Sequence, residues 1–488
     1  MVAYRDLIDP SYDFVPTDRL PPIKGRLSDT WRPGPDADWA RVRRASDVEL
    51  ARYMVTRWRS RQPVAFCEGT FWFYQPGEGC WEAASEPHIL RQIHDLDGRP
   101  YGEVDDKGKR RTLTLSHAKV RSICATIAVE LAETAQDHNP FSEAPVGLSL
   151  KSGFLTVEAT RLVLYPHHPN WFQTTALGID HDHKATCPLW RKSLDDWFGD
   201  QDDGLDQIAL LQEFFGAALF GLAPAFGRAL FLVGSGGQGK SQITRVLEGL
   251  FPAQKVGSVP PQRWQKEYAV DRLAHIALNV VNELPSAAIM EGATFKAVIT
   301  GDSVYARPIY GQPYAFKPKA AHLFSTNQLP RSLDASDGFW RRILLLRMTR
   351  QFRNLEGAQE GHVDQLAEVI LEHEREGVLA WAVDGVQRLL LQEEYTVSRS
   401  ARREVERWRM ASDPIRQWLE ERTTSCQQTR GQAIQNEVWR DWQEWSERNG
   451  YQSKGRGTFL ALLEEQIGEP KRTTRGKAYP ISLNRGSA

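Results

Sequence analysis

Gly234-Ser235-Gly236-Gly237-Gln238-Gly239-Lys240-Ser241 fits the pattern G-x-x-x-x-G-K-[ST], and Gln242 follows it. Such a loop has a specific chemistry. Its glycines let the chain curl until backbone N–H groups point at phosphate oxygens, and a helix N-terminus beyond them adds partial positive charge. Lys240 can reach the β- and γ-phosphates of a nucleoside triphosphate, and the Ser241 hydroxyl can ligate Mg²⁺. Residues Gly234, Ser235, Gly236, Gly237, Gln238, Gly239, Lys240, Ser241 and Gln242 are therefore the candidate phosphate cradle.

The flanks must hold this loop for the pattern to mean anything. The apolar run Ala229 to Val233 reads as a buried strand. Ile243, Val246, Leu247 and Leu250 recur at i, i+3, i+4 and i+7, one face of a helix. Ile276 to Val281 reads as a second buried strand and runs into Asn282-Glu283. A third, Ala320 to Ser325, ends at Thr326-Asn327, and a fourth, Ile343 to Leu346, follows Trp340-Arg341-Arg342. Glu283 can polarise an attacking water. Asn327 can sense the γ-phosphate or orient that water. Arg341 and Arg342 have two readings of equal standing on spacing: an arginine finger for a neighbour's nucleotide, or local pairs with Asp334 or Asp337. Tyr305 to Lys319 reads as a hairpin turning at Gly311-Gln312-Pro313.

At 488 residues the chain has room for two to four domains, each with a core. Its net charge of −1 gives no overall attraction to nucleic acid, so such contacts must come from local clusters. Five scattered cysteines without a C-x-x-C pair fit a reducing cytosol, and the N-terminus lacks the apolar core of a signal peptide. The most apolar window, 208–233, is broken by Gln212, Glu213, Pro224 and Arg228, which argues against a membrane helix. A cytoplasmic location is expected.

Residues 1–45 are rich in Pro, Asp and Arg and read as an extended or partly ordered arm. Ser46-Asp47-Val48-Glu49 is a capping box opening a helix to about Arg61. Pro63 to Glu82 alternates like a hairpin around Gly77-Glu78-Gly79; helices over 86–96 and 114–137 follow, separated by a charged loop at 105–111. Leu148 to Leu164 reads as two strands around Lys151-Ser152-Gly153. In Gly178 to Pro188, His181, His183 and Cys187 with Asp180 or Asp182 could ligate a metal, but the preferred reading is a polar turn into a helix over 189–198. Tyr395 to Trp408 is polar and arginine-rich, as a linker or hinge helix would be. Beyond Asp413, helices over 413–422, 430–448 and 457–467 precede a basic turn, Lys471-Arg472-Thr473-Thr474-Arg475-Gly476-Lys477. Trp439, Trp442 and Trp445 read as core of this unit. Three helices and a basic ribbon suggest a winged helix whose wing lies along phosphates, with Lys471, Arg472, Arg475 and Lys477 as contacts.

The ordered set resembles a known family. The phosphate loop, Asn282-Glu283-Leu284-Pro285, Lys296-x4-Gly301-Asp302-x4-Arg307, Phe316-x-Pro318, Thr326-Asn327-x-x-Pro330 and Trp340-Arg341-Arg342 occur in the order seen in superfamily 3 helicase domains of phage, plasmid and poxvirus-type primase-helicases. GLSLKSGFL, the Asp180 to Trp190 segment and Trp197 resemble the helical region that precedes the motor in that family. The resemblance implies that Gly239, Lys240 and Ser241 are Walker A positions, Glu283 the Walker B acid, Asn327 sensor 1, and Arg341 or Arg342 the finger. It places Asp302 and Arg307 in a motif leading to a hairpin that meets single-stranded DNA in a ring channel, where Arg307, Lys317 and Lys319 are the DNA-contact candidates. Two features depart from the pattern: Asn282 stands where many members have an acid, leaving Ser241 and Glu283 for the metal, and too little chain precedes the motor for the primase half.

The expected architecture is an α/β P-loop (AAA+-like) ATPase core over 201–395, a mixed α+β N-terminal region over 46–200, and a linker with a C-terminal winged-helix-like domain over 396–488. The expected activity is Mg²⁺- and ATP-dependent DNA unwinding by a homo-oligomeric ring, expected to be a hexamer, with single-stranded DNA in its channel, duplex at the C-terminal domain and a separate primase as a possible partner. A replication initiator that remodels DNA without processive unwinding is the alternative. A small-molecule kinase is a third, disfavoured because no second basic pocket for an acceptor is evident.

Overall fold

The computed structural model describes residues 13–14, 37–132, 140–141, 144–158, 161–284, 289–290, 292–309, 312–332, 336–350, 365–425, 433–449, 451 and 455–484. A five-stranded parallel sheet lies at its centre, in the spatial order Val256–Gly257, Leu278–Val281, Ala321–Thr326, Ala229–Val233, Ile343–Arg347. Leu230 lies beside Leu323 and Ala229 beside Ile343, so the three inner and outer strands around the loop share one register. Side chains alternate across a strand. Leu230 and Leu232 enter one core, while Ala229, Phe231 and Val233 enter the other. Burial on both faces explains the unbroken apolar runs that mark these strands in the sequence.

One face is covered by the Lys240–Leu250 helix and by a tight pair, Gly204–Leu219 with Arg375–Gln392. That pair meets backbone to backbone: a Cβ on Gly216 would lie 2.7 Å from the Val386 nitrogen, and one on Gly385 would strike the Gln212 carbonyl. Between them Glu213, fully buried, accepts from Arg388 Nε, Thr396 N and Thr396 Oγ1, each at 2.7 Å. The ion pair closes the chain reversal beyond the second helix.

The other face holds Trp264, Phe295, Trp340 and Trp408. Trp408 belongs to Arg399–Ser412, the segment expected to be a linker or hinge. That expectation is corrected. Trp408 packs on Phe231 and Trp340 and its indole N–H donates to the Pro330 carbonyl at 2.6 Å, while Glu404 pairs with Arg347 at 2.6 Å. The arginines face outward and hide the apolar stripe from a composition-based reading.

The N-terminal unit packs helices Asp47–Arg59, Glu86–His94 and His117–Leu131 against strands Val64–Cys67, Thr70–Gln75 and Cys80–Ala84. Two turns, not one, connect these strands. The missed turn is Glu68-Gly69, with φ of 49° and 75°; a glutamate in the left-handed region is uncommon and gives no sequence signal. Likewise Leu148 to Leu164 forms three strands, Leu148–Leu150, Gly153–Glu158 and Arg161–Tyr165, and Asp13–Phe14 of the expected arm adds a parallel fourth.

The C-terminal unit holds helices Pro414–Arg422, Gln435–Arg448 and Arg456–Ile467 with short strands ending in the Lys471–Thr473/Gly476–Tyr479 ribbon. Trp442 and Trp445 are buried in its core and Trp439 half-buried. No helix among the described residues is long and apolar enough to cross a membrane.

Candidate nucleotide and nucleic-acid site

Strand ends bring the motif residues together. The loop leaves Val233, Glu283 lies two residues past Val281, and Asn327 follows Thr326, all at the carboxyl edge of adjacent parallel strands. In open α/β sheets this edge is where ligands bind. Lys240 Nζ donates to the carbonyls of Gly234 at 2.5 Å and Ser235 at 2.8 Å and to Asn327 Oδ1 at 3.0 Å. Burial pushes the Lys240 ammonium below its ordinary pKa, and the Glu283 carboxylate acts in the opposite direction. The amine is thus partly desolvated and within the field of Glu283. Ser241 is exposed at the first turn of its helix, where N–H groups have no intrahelical partner.

Several groups of the loop are engaged within the protein. The Gly234 N–H is spent on the Thr326 carbonyl at 3.2 Å, and the Gln242 side chain accepts from Ala367 N at 2.9 Å. Gln238 Nε2 donates to the Thr349 carbonyl at 3.0 Å. These three brace the loop, in which Ser235, Gly236 and Ser241 are exposed and Lys240 is buried. Gly239 has φ +90°, and a Cβ there would lie 2.7 Å from Trp197 Cε2 and 3.0 Å from Cζ2. Sequence alone could not show that an indole of the preceding region floors the loop.

Asn282 has a structural partner: its Oδ1 accepts from Thr244 Oγ1 at 2.8 Å, which ties the strand end to the loop helix. Burial pushes the neighbouring Glu248 carboxyl up, with the Arg245 charge and an Asn282 hydrogen bond opposing it.

The arginine pair stands elsewhere. Ala229 N donates to the Arg342 carbonyl at 2.9 Å, and Ile343–Arg347 runs parallel with Ala229–Val233. Arg341 and Arg342 therefore mark the amino edge of the sheet, roughly 15 Å, one strand length, from the loop. Arg342 Nη1 folds back onto the Gly338 carbonyl. Asp337 pairs with Arg409 at 2.6 Å, and Asp334 lies outside the described residues. Arg341 is exposed.

Val304–Ala306 and Tyr314–Phe316 form the expected hairpin, in the register Val304 to Phe316; Gly311 of its turn lies outside the described residues. Arg307 and Lys317 are exposed, and the Arg307 N–H donates to the Glu267 carbonyl at 3.3 Å. The Lys319 amine donates to the Phe141 carbonyl of the N-terminal region, where the chain after Phe316 leads back into the sheet.

In the Asp180 to Trp190 segment, Asp180 accepts from Ser152 N and Asp182 from Lys184 N, each at 2.8 Å. No group of three or more His, Cys, Asp or Glu that could hold a metal occurs among the described residues. Burial pushes His181 down to about 4, so it is neutral. The helix Pro188–Phe198 is capped from afar, its Leu189 and Trp190 N–H groups donating to the Glu374 carboxylate at 2.8 and 2.9 Å.

On the C-terminal ribbon Lys471, Arg472, Arg475 and Lys477 are exposed, and Arg472 stands directly across from Lys477. Like charges opposed on a ribbon repel.

An α/β chain with a glycine loop, an acid and an asparagine at one sheet edge is the class defined so far. Comparison with known proteins adds more. Residues 51–199 match the family described as D5 N terminal like, the N-terminal region of phage and viral primase-helicase proteins. Residues 232–342 match a family of unknown function (DUF5906). The likeness to phage-type replication proteins thus rests on residues 51–199. No curated protein was found to match. Among solved structures, the A form apo structure of the NrS-1 C terminal region is 11% identical, with TM-score 0.45, over 89% of this chain and 98% of that one. Another apo structure of that region is 12% identical, with TM-score 0.44, over 90% and 100%.

Proposed function

We propose that this chain is an ATP-driven DNA helicase of superfamily 3 type, working as a ring in phage-type replication, with an α/β P-loop (AAA+-like) core and a winged-helix-like C-terminal unit. The observation that carries the reading is Lys240 Nζ held 3.0 Å from Asn327 Oδ1, with Glu283 acting on the same amine. In an ATPase, those three positions bind, sense and hydrolyse the γ-phosphate. A Mg²⁺ ion held by Ser241, with Glu283 and water nearby, would neutralise charge on the β- and γ-phosphates.

Lys240 exchanges the loop carbonyls for phosphate oxygens. The exposed loop N–H groups orient the triphosphate, Glu283 accepts a proton from the attacking water, and Asn327 holds that water in line. Lys240 is the loop's own cation for charge developing at the γ-phosphate, and Arg341 cannot join it within its own chain because it marks the opposite sheet edge. A neighbouring subunit that presents Arg341 across an interface completes the site, which is the physical argument for a ring. Arg307 and Lys317 on the hairpin then meet single-stranded DNA. Duplex phosphates relieve the repulsion between Arg472 and Lys477, with Lys471 and Arg475 beside them.

The test is ATP hydrolysis with and without DNA, together with strand displacement on forked duplex. DNA-stimulated hydrolysis with displacement is expected. Lys240→Ala should lose nucleotide binding, and Glu283→Gln should bind ATP and barely hydrolyse it. Stimulated hydrolysis without displacement would replace the helicase by an initiator that remodels DNA. Normal turnover in Glu283→Gln would remove the base assignment.

A further inference from the structure

At the root of the hairpin, between the motor and the N-terminal region, lies a cavity of about 380 Å³. Its size suits a small ligand. Lys255, Lys317 and Lys319 line it from the motor side, and Glu68 and Trp72 from the Val64–Gln75 hairpin. The lysines come from two separate segments, the 3-10 turn Ala253–Lys255 and the stretch between the strands Tyr314–Phe316 and Ala321–Thr326.

These charges are poorly compensated. No described carboxylate comes within ion-pair distance of the three amines; Glu68 acts on Lys319 and Glu82 on Lys255 only from farther away. Lys319 is exposed at the cleft, and its amine donates to the Phe141 carbonyl. Burial pushes it down to about 8 and lowers Lys255 as well, against those acids. Three amines that line one cavity with no described carboxylate in ion-pair reach gain from an anion that joins them. Trp72, stacked on Phe141 at 4.6 Å, adds an aromatic wall to the same space. Amines beside an indole are the two elements that hold a nucleotide without reading its sequence: cation to phosphate, ring to base.

We propose that this cavity is a second nucleotide site, distinct from the phosphate loop, in which Lys255, Lys317 and Lys319 hold phosphate and Trp72 faces the base. The same chemistry is offered by a free nucleotide and by one nucleotide of a single strand that reaches the hairpin root. Because the walls belong to two regions, occupancy clamps the N-terminal region to the segment that returns from the hairpin. The proposal does not depend on hydrolysis at the loop.

The test uses the full chain carrying Lys240→Ala, which disables the loop. Binding of a fluorescent mant-ATP and of a short fluorescein-labelled oligothymidylate is followed separately by anisotropy. At least one probe should bind, and the arm that does so identifies the source. Adding Lys319→Gln or Lys255→Gln should weaken that probe about tenfold, the loss of one charge-assisted hydrogen bond. Adding Glu68→Gln removes the facing anion and should tighten it about two- to threefold; a gain cannot come from misfolding. Binding of neither probe, no change in either lysine variant, or displacement of the probe by inorganic phosphate as readily as by unlabelled nucleotide would each overturn the proposal. Since the loop is disabled throughout, these results are independent of whether the intact chain hydrolyses ATP or unwinds DNA.

Discussion

Gly239→Ala tests the join between the phosphate loop and the region before it. Gly239 has φ +90°, and a Cβ would lie 2.7 Å from Trp197 Cε2. Two costs follow. Forcing an L-residue into the left-handed region costs about 1–2 kcal/mol. Overpacking the methyl against a ring buried at 3% exposure adds about 1–3 kcal/mol. Their sum, about 2–5 kcal/mol, is a large share of the ~5–15 kcal/mol that holds a typical domain together. Trp197→Leu separates the two. It makes room for the methyl but leaves the backbone strain, so the double variant should recover the overpacking part and no more. Urea unfolding of the four chains of the cycle measures this, with mant-ATP anisotropy as a second readout of loop shape. If the two substitutions add within about 0.5 kcal/mol, the side chains do not interact and the packing argument is refuted.

Arg341→Ala should cut hydrolysis by the assembled protein by about 10³-fold or more and leave unfolding unchanged, whereas Arg342→Ala should mainly lower stability, because its guanidinium folds onto Gly338; steady-state hydrolysis and urea melts compare them. Trp408→Ala should cost about 3–5 kcal/mol in denaturant unfolding of the motor, a value no solvated linker would give. Arg388→Ala leaves Glu213 buried and uncompensated and should cost about 3–5 kcal/mol in the same assay. Glu374→Ala strips the cap from Leu189 and Trp190 and should cost about 1–2 kcal/mol, read in the same melts.

The parallel strands and the loop helix were legible because burial on both sides of a sheet leaves long apolar runs and a glycine loop breaks them at a fixed place. Glu283 and Asn327 were legible as polar residues just past such runs. What the sequence hid is whatever depends on partners far along the chain. Glu374 caps a helix 184 to 185 residues away. Trp197 meets Gly239 by tertiary packing, and Lys319 turns from an outward hairpin to an inward amine within three residues of Phe316. The helix carrying Trp408 was misread because its arginines outnumber the few apolar residues that bury it. Glu68 concealed a turn by adopting a conformation that glutamate rarely takes.

The parallel pairing of Ala229–Val233 with Ile343–Arg347 fixes more than a sheet order. It sets the phosphate loop and Arg341 at opposite ends of one rigid layer. On the proposed reading each chain owns two half-sites that can never meet, so the unit of catalysis is the junction between copies. A closed ring then has as many working centres as subunits, and an open row always has one fewer. Closure alone would switch on the last centre, and a single subunit lost at a fork would silence the junctions on both its sides.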